Sequence, residues 1–340
     1  MKILIVGRNH IKSHTWVHEL WKQAIAQQHD VRFYGDGYGE GRPWYRDDEN
    51  VLKMHHDDDD IRRVIERFEF EPDVIYTQWK KDVGLVTTGL AELDIPKVHY
   101  TTEYFHWNYK IEDYFIKKYK IDLVLVPNSP MVDRISEVHG IKVRLLPFSI
   151  DTDIFKPSDV KRDISISAVM HAGGWYSGRM ELLEKVKSIE RSYVFSAFRR
   201  KHKLYHGDYI DICTRSKMSV NASRVHEAQV GPIYSKPKPL DAPYTTFTGL
   251  RTVEIPACGA LLLTQYSEDL YPMGFRHLEN CIVYDDPREV PPMVNELLIQ
   301  GEYRQRIAEA GLEHVRKHHS NAVRVQQFTK IIQEELGCED

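Results

Sequence analysis

Short apolar runs that end in glycine, proline or a polar residue alternate with amphipathic stretches along almost the whole chain, and they do so in two successive series. "KILIVG" (2–7) opens the first series and "DVRFYG" (30–35) continues it. "PDVIYTQ" (72–78), "PKVHYTT" (96–102), "DLVLVP" (122–127) and "KVRLLP" (142–147) complete it. Between them lie helical stretches at 15–28 and near 57–70, 80–92, 108–119 and 129–139. In the first of these, Trp16, Leu20, Ala24 and Gln27 recur at helical spacing, with Val17, Trp21 and Ile25 beside them. Runs of this length without period-two alternation are strands buried on both faces. Strands that alternate with helices predict a parallel sheet covered on both sides.

"PFSIDTDIFKPSDVKRD" (147–163) interrupts the alternation with two prolines and many polar residues, and reads as an interdomain linker. A second series follows. It has strands at 164–170, 192–198, 217–223, 259–265 and 280–286, and helices at 179–189, 208–216, 249–258, 291–301 and 302–320. A last helical segment, 321–336, has no partner strand. The expected organisation is an N-terminal domain over 1–150, a C-terminal domain over 151–320 and a terminal helix over 321–340 that packs back on the N-terminal domain. The 340 residues suit two domains of ordinary size. The expected fold is α/β, two Rossmann-like doubly wound domains facing a cleft. Ligands in such sheets bind beyond the carboxyl ends of the strands.

Composition removes several function classes. Hydrophobic residues are 42% and charged residues 28%, the balance of a soluble globular protein. No apolar run approaches the roughly 18 residues of a membrane span. The N-terminus runs directly into a strand pattern, so no signal peptide is expected. The four cysteines, Cys213, Cys258, Cys281 and Cys338, are scattered and form no Cys-x-x-Cys pair, so a reducing cytoplasm is the simplest compartment. A net charge of −4 gives no global reason to expect nucleic-acid binding. "GRNHIKS" (7–13) is not Gly-x-Gly-x-x-Gly, which argues against a dinucleotide-dependent dehydrogenase.

"RTVEIPACGALLLTQ" (251–265) carries the most chemical information. A helix over 249–258 places Gly249, Leu250 and Arg251 in its first turn, where free amides and the helix dipole favour an anion. Arg251 adds a fork suited to phosphate. Glu254, one turn on, is unwelcome beside a phosphate unless it has a task such as accepting two hydrogen bonds from a ribose diol. Gly259 and Ala260 let the next strand start tightly under the helix. The competing reading is an Arg and a Glu on a solvated helix face.

"TFTGLRTVEIPACGALLLTQ" (246–265) resembles the donor-site signature of retaining glycosyltransferases of the two-Rossmann (GT-B) architecture. Gly249, Leu250, Glu254 and Ala257-Cys258-Gly259 match that signature, whereas Thr246 stands where the family has its first Glu. That departure, with Arg251 ahead of Glu254, more closely resembles the spore-maturation CgeB-like branch. "LLPFSIDTDIFKP" (145–157), "HAGGWYSGRMELL" (171–183) and "NCIVYDDPREV" (280–290) resemble other parts of the family in order and spacing. The resemblance implies a nucleotide-diphosphate sugar as donor substrate, no tightly bound cofactor and no bound metal. It places Gly173, Gly174, Arg179, Arg199, Thr248, Gly249, Leu250, Arg251 and Glu254 at the donor. Arg251 would stabilise the leaving diphosphate and Glu254 would hold the ribose. Thr246 cannot supply the missing charge, so the identity of the sugar stays open.

The acceptor side falls to the N-terminal domain. Glu103 and His106 in "HYTTEYFHW" (99–107) would orient or deprotonate an acceptor hydroxyl, and Gly7 marks a close backbone approach to the cleft. The plainer alternative has Glu103 capping a helix and His106 packed among aromatic rings. "FRRKHK" (198–203), which contains Arg199, is either a solvated loop or part of the diphosphate pocket. "HHDDDD" (55–60) suggests a metal less well than it suggests acids before a helix N-terminus. His14 and His18 share a helical face but lack a zinc context. The Pro-rich stretch 224–247 is a long loop beside the donor site, either a lid or an acceptor contact. The acceptor is a polysaccharide, protein, small molecule or modified base. An epimerase, or a silent nucleotide-sugar or polymer binder, is the competing function.

Overall fold

A computed structural model of the chain describes residues 1–7, 17–35, 51–53, 60–78, 88–102, 109–172, 179–196, 206–226 and 244–338. The chain forms two compact units, Met1–Pro147 with Arg324–Asp340, and Phe148–Val323.

The N-terminal unit is built on seven strands: β1 (Lys2–Val6), β2 (Asp30–Gly35), β3 (Val51–Lys53), β4 (Val74–Gln78), β5 (Lys97–Tyr100), β6 (Leu123–Val126) and β7 (Lys142–Leu145). Their order is β3-β2-β1-β4-β5-β6-β7, and every neighbouring pair is parallel. β4, β5 and β6 are buried at every position, as strands covered on both faces must be. The helices described here are α1 (Val17–Gln28), α2 (Ile61–Arg67), α3 (Tyr109–Tyr119) and α4 (Pro130–His139). Asp60 caps α2 by accepting from the Arg62 amide at 2.9 Å and pairing with its guanidinium. Those hydrogen bonds to Arg62 lower its pKa to about 2. The acid at this position therefore serves the helix start, as expected.

The C-terminal unit has a five-stranded parallel sheet and a small ribbon. The sheet strands are β8 (Ile164–Met170), β9 (Ser192–Ser196), β10 (Ser216–Asn221), β13 (Leu261–Gln265) and β14 (Ile282–Tyr284), with β11 (Arg224–His226) and β12 (Tyr244–Thr246) forming the ribbon. The sheet order is β14-β13-β10-β8-β9, and β11 pairs antiparallel with β12. The helices are α5 (Arg179–Lys187), α6 (His206–Arg215), α7 (Arg251–Ala257), α8 (Val290–Ile299) and α9 (Gly301–His318). A single core joins Ile166, Leu182, Val220, Leu263, Val294 and Ile307, each from a different element.

The last helix, α10 (Asn321–Leu336), contributes Val325, Phe328 and Ile332 to the core of the N-terminal unit, all fully buried. The Phe328 ring meets Trp21 and Tyr76 edge-on, with centroids 5.8 and 5.5 Å away. The segment read as a linker is instead a packed part of the C-terminal unit. Phe155 is fully buried, the Asp151 carboxylate accepts from the Asp153 and Ile154 amides, and Ile150 exchanges backbone hydrogen bonds with His319 and Asn321. Its residues 151–154 make a turn, which looks like a linker when burial is not visible. The stretch read as a loop from 224 to 247 begins and ends in the β11–β12 ribbon.

Candidate functional site

In the C-terminal sheet the chain runs from β8 outward to β9, then returns to the other side of β8 for β10. The switch point is therefore between β8 and β10, and sheets of this kind place ligands beyond the carboxyl ends of the strands at such a point. Arg179, the first residue of α5, spans this point. Its Nη1 donates to the His171 carbonyl after β8 at 3.2 Å and its Nη2 to the Ala222 carbonyl after β10 at 3.0 Å.

Arg251 comes to the same edge from α7. Its Nε donates to the Val169 carbonyl of β8 at 3.2 Å, and its guanidinium carbon lies 4.0 Å from the centroid of the Tyr209 ring. Its Nη1 pairs with Glu254 Oε2 across one turn of the helix. Burial opposes the Arg251 charge, but the Glu254 carboxylate and Tyr209 outweigh it and raise its pKa above the usual guanidinium value. The Glu254 side chain is 3% exposed and that of Arg251 33%. Glu254 therefore does not lie on a solvated helix face, whereas Arg251 is partly exposed.

The approach to α7 is fixed from below. The Phe247 amide donates to the Ser223 carbonyl at 2.9 Å, Ser223 Oγ donates to the Gln265 carbonyl at 3.0 Å, and Thr248 Oγ1 lies 2.7 Å from Ser267 Oγ. Asn221 Nδ2 donates to Thr252 Oγ1 and Thr264 Oγ1, each at 3.3 Å. These bonds tie Thr248, Gly249 and Leu250 to the ends of β10 and β13. The first bond of the α7 turn runs from the Thr252 amide to the Gly249 carbonyl at 3.0 Å, so the amides of Gly249, Leu250 and Arg251 precede it. α7 is short because Pro256 lacks an amide hydrogen and Gly259 turns the chain at φ +74°. A Cβ at Gly259 would lie 2.8 Å from Arg162 Nη2 and 2.9 Å from Pro157 Cγ, so the following strand does start tightly.

The structure thus brings Arg179, Thr248, Gly249, Leu250, Arg251 and Glu254 to one edge of one sheet. Gly173, Gly174, Arg199, Glu103 and His106 lie outside the described residues, as does His14. Gly7 follows β1 in the N-terminal unit, and its close approach is to another backbone. A Cβ on Gly35, whose φ is +151°, would lie 1.4 Å from the Gly7 carbonyl oxygen. Sequence reading missed Tyr209, Asn221, Ser223, Thr252 and Ser267. "KMSVNAS" did carry a signal, since a buried strand that ends in Asn-Ala-Ser places polar groups at its carboxyl end.

Two guanidinium groups at a switch point, one backed by an aromatic face, suit a diphosphate. A buried carboxylate one helical turn away suits a diol. Among the described residues no group of three His, Cys, Asp or Glu is placed to hold a metal ion, and no helix is long and apolar enough to cross a membrane.

Two parallel-sheet α/β units in this arrangement of strands are the GT-B fold. Solved structures of that fold are similar to the chain over nearly its whole length. Sucrose-phosphate synthase from Thermosynechococcus elongatus is 12% identical with a TM-score of 0.64, covering 99% of each chain. Anabaena HepE in complex with UDP and glucose is 12% identical with a TM-score of 0.66, covering 98% of this chain and 100% of that one. A glycosyltransferase from Rickettsia africae is 12% identical with a TM-score of 0.64, covering 99% of each chain. Within the C-terminal half, residues 174–330 match a sequence family described as glycosyl transferase-like. No curated protein matches the chain in sequence.

Proposed function

We propose that the chain is a glycosyltransferase that moves a sugar from a nucleotide-diphosphate sugar to an acceptor hydroxyl, with retention of anomeric configuration and without a bound metal. The observation that carries this reading is the convergence of Arg179 and the Arg251–Glu254 pair on the β8/β10 switch point. Arg179 and Arg251 balance the diphosphate charge as the sugar–phosphate bond breaks, together with the amides ahead of α7. Glu254 accepts hydrogen bonds from the ribose diol, which requires its carboxylate to be shared between Arg251 and the nucleotide. The match of 174–330 to a glycosyl transferase-like family covers the same residues and supports the reading. HepE was crystallised with UDP and glucose, which makes a UDP-sugar the first donor to test. The N-terminal unit takes the acceptor, and Glu103 and His106 remain proposed acceptor residues.

Incubation with UDP-sugars and candidate acceptors, in chelator, tests the reading. The expected result is acceptor-dependent nucleotide release and a product of increased mass. NMR of the first-formed product is expected to show the donor's own anomeric configuration. Consumption of donor to an isomeric nucleotide sugar would instead make the chain an epimerase, and an inverted linkage would remove the retaining mechanism.

A further inference from the structure

The end of α9 carries the stretch "HVRKHHS" (314–320), which the proposed transfer does not use. Residues five apart in a continuous helix point about 140° away from each other, so His314 and His319 would not meet on one. α9 stops at His318, and His319 leaves it at φ −131° while its amide still donates to the Val315 carbonyl at 2.8 Å. That break brings the two rings together, with His319 Nε2 3.2 Å from His314 Nε2. A third atom joins them from the chain that follows β13. The Met273 carbonyl oxygen lies 2.9 Å from each of the two nitrogens.

The surroundings hold this triangle in place. Phe275 is fully buried and stacks on the His319 ring, with centroids 5.5 Å apart and planes at 18°. It meets the His314 ring edge-on at 4.9 Å. Gly274 turns the chain at φ +84°, and a Cβ there would lie 2.5 Å from His314 Cε1, so a bare backbone lets the Met273 carbonyl reach the ring. The Met273 amide donates to the Asp269 carbonyl at 3.0 Å, and the Phe275 amide to that of Leu270 at 3.1 Å. His319 is 3% exposed and His314 partly exposed, which leaves the His314 side as the way in.

Hydrogen bonds from both rings satisfy the carbonyl oxygen, but they set two N–H dipoles side by side with nitrogens 3.2 Å apart. A divalent cation removes that conflict. Zn²⁺ bonds imidazole nitrogen at roughly 2.0–2.1 Å and oxygen at roughly 2.0–2.2 Å, which puts neighbouring ligand atoms about 2.9–3.5 Å from one another. The observed separations of 2.9, 2.9 and 3.2 Å match that spacing. The three ligands include no carboxylate, and the Arg276 charge acts on His314 from nearby. A hard cation such as Mg²⁺ therefore gains little, and imidazole nitrogen selects a cation of the Zn²⁺ or Ni²⁺ kind. We propose that His314 Nε2, His319 Nε2 and the Met273 carbonyl oxygen bind one divalent transition-metal cation, which fastens the chain after β13 to the end of α9. The carbonyl takes the place of a third side-chain ligand. Each ring stays neutral by carrying its hydrogen on Nδ1, so neutral rings release no net proton on binding. None of the three residues is a proposed donor residue, so the cation is no part of the transfer chemistry.

Long-range ¹H–¹⁵N NMR of the full chain during a ZnCl₂ titration tests the proposal, with His314→Gln, His318→Gln and His319→Gln assigning the ring signals. In saturating ZnCl₂ the His314 and His319 rings are expected to carry hydrogen on Nδ1 and none on Nε2, and to respond together, whereas MgCl₂ leaves both unchanged. Equilibrium dialysis with elemental analysis is expected to find one Zn²⁺ fewer on His314→Gln than on the wild type. His319 is buried, so where His319→Gln does not fold, loss of the second ring's response in His314→Gln identifies it. Zn²⁺ held elsewhere, at "HHDDDD" (55–60) for example, does not move these two rings. Rings that keep an Nε2 hydrogen in saturating ZnCl₂, an equal response to MgCl₂, or a Zn²⁺ count unchanged in His314→Gln overturns the proposal. So does a response of His314 with the exposed His318, one turn along the helix, in place of His319. Neither readout involves a nucleotide, so failure here leaves the transferase reading standing and the reverse also holds.

Discussion

A carboxylate 3% exposed and paired with a guanidinium is an expensive way to hold a short helix in place. Desolvating the two charges costs several kcal/mol, and apolar residues of similar size often serve stability as well. Under the transferase reading the Arg251–Glu254 pair has a second task, which is to hold the donor. Glu254→Gln is expected to weaken binding of a UDP-sugar by about tenfold to about 150-fold, the worth of a charged hydrogen bond of roughly 1.5–3 kcal/mol. Arg251→Ala is expected to lower turnover more than affinity, because its charge matters most as the diphosphate departs. Calorimetry and nucleotide release separate the two effects. Because Glu254 is buried, Glu254→Gln is also expected to reduce unfolding free energy, by about 1–3 kcal/mol in denaturant titration. Arg251 and Glu254 were legible in the sequence because both lie on one turn of one helix. Tyr209 was not, because its contact with Arg251 joins α6 to α7 and no local spacing records such a pairing. His18 stood out in the sequence only as a weak zinc ligand. Its contact with Gln78, on a strand some 60 residues away, joins α1 to the sheet, and no local spacing records it.

At the scale of elements, glycines separate structural need from functional need. Gly259 turns the chain at φ +74° with no room for a Cβ, so Gly259→Ala is expected to cost about 1–3 kcal/mol, read as a lower midpoint in denaturant unfolding. Gly249 has open space where a Cβ would go, so Gly249→Ala is expected to change stability by no more than about 0.5 kcal/mol. Any loss of nucleotide affinity in that variant would then report on the site itself. The cap of α2 gives a pH dependence. The Asp60 pKa is lowered to about 2 from an ordinary 3.8, so its contribution is complete above about pH 4 and is lost as pH falls toward 2. Asp60→Ala is expected to cost about 1 kcal/mol at pH 7 and to reduce the acid sensitivity of unfolding in that window. Strands such as β8 and β13 were legible because continuous apolar runs in an alternating chain leave little else to be. β3, β11 and β12 have three residues each, too few to show any period. Their pairing is decided by tertiary contact.

The whole molecule is tied together by a chain that leaves the N-terminal unit at Pro147 and returns to it at Arg324. α10 then supplies Phe328 to the rings of Trp21 and Tyr76. Phe328→Ala is expected to cost about 3–5 kcal/mol. Hydrogen exchange should show the loss of protection in β1, β4 and β5 of the N-terminal unit rather than in the C-terminal sheet. The proposed donor residues all belong to the C-terminal unit, so that variant, where folded, is expected to keep its nucleotide affinity. The most direct test of the central claim, a metal-independent nucleotide-diphosphate site at the β8/β10 switch point, is a calorimetric titration of UDP in chelator. It compares the wild type with Arg251→Ala and Glu254→Gln. Saturable binding by the wild type, weakened by at least about tenfold in both folded variants, is the predicted result. Binding that chelator abolishes, or equal affinity in all three proteins, would contradict the account.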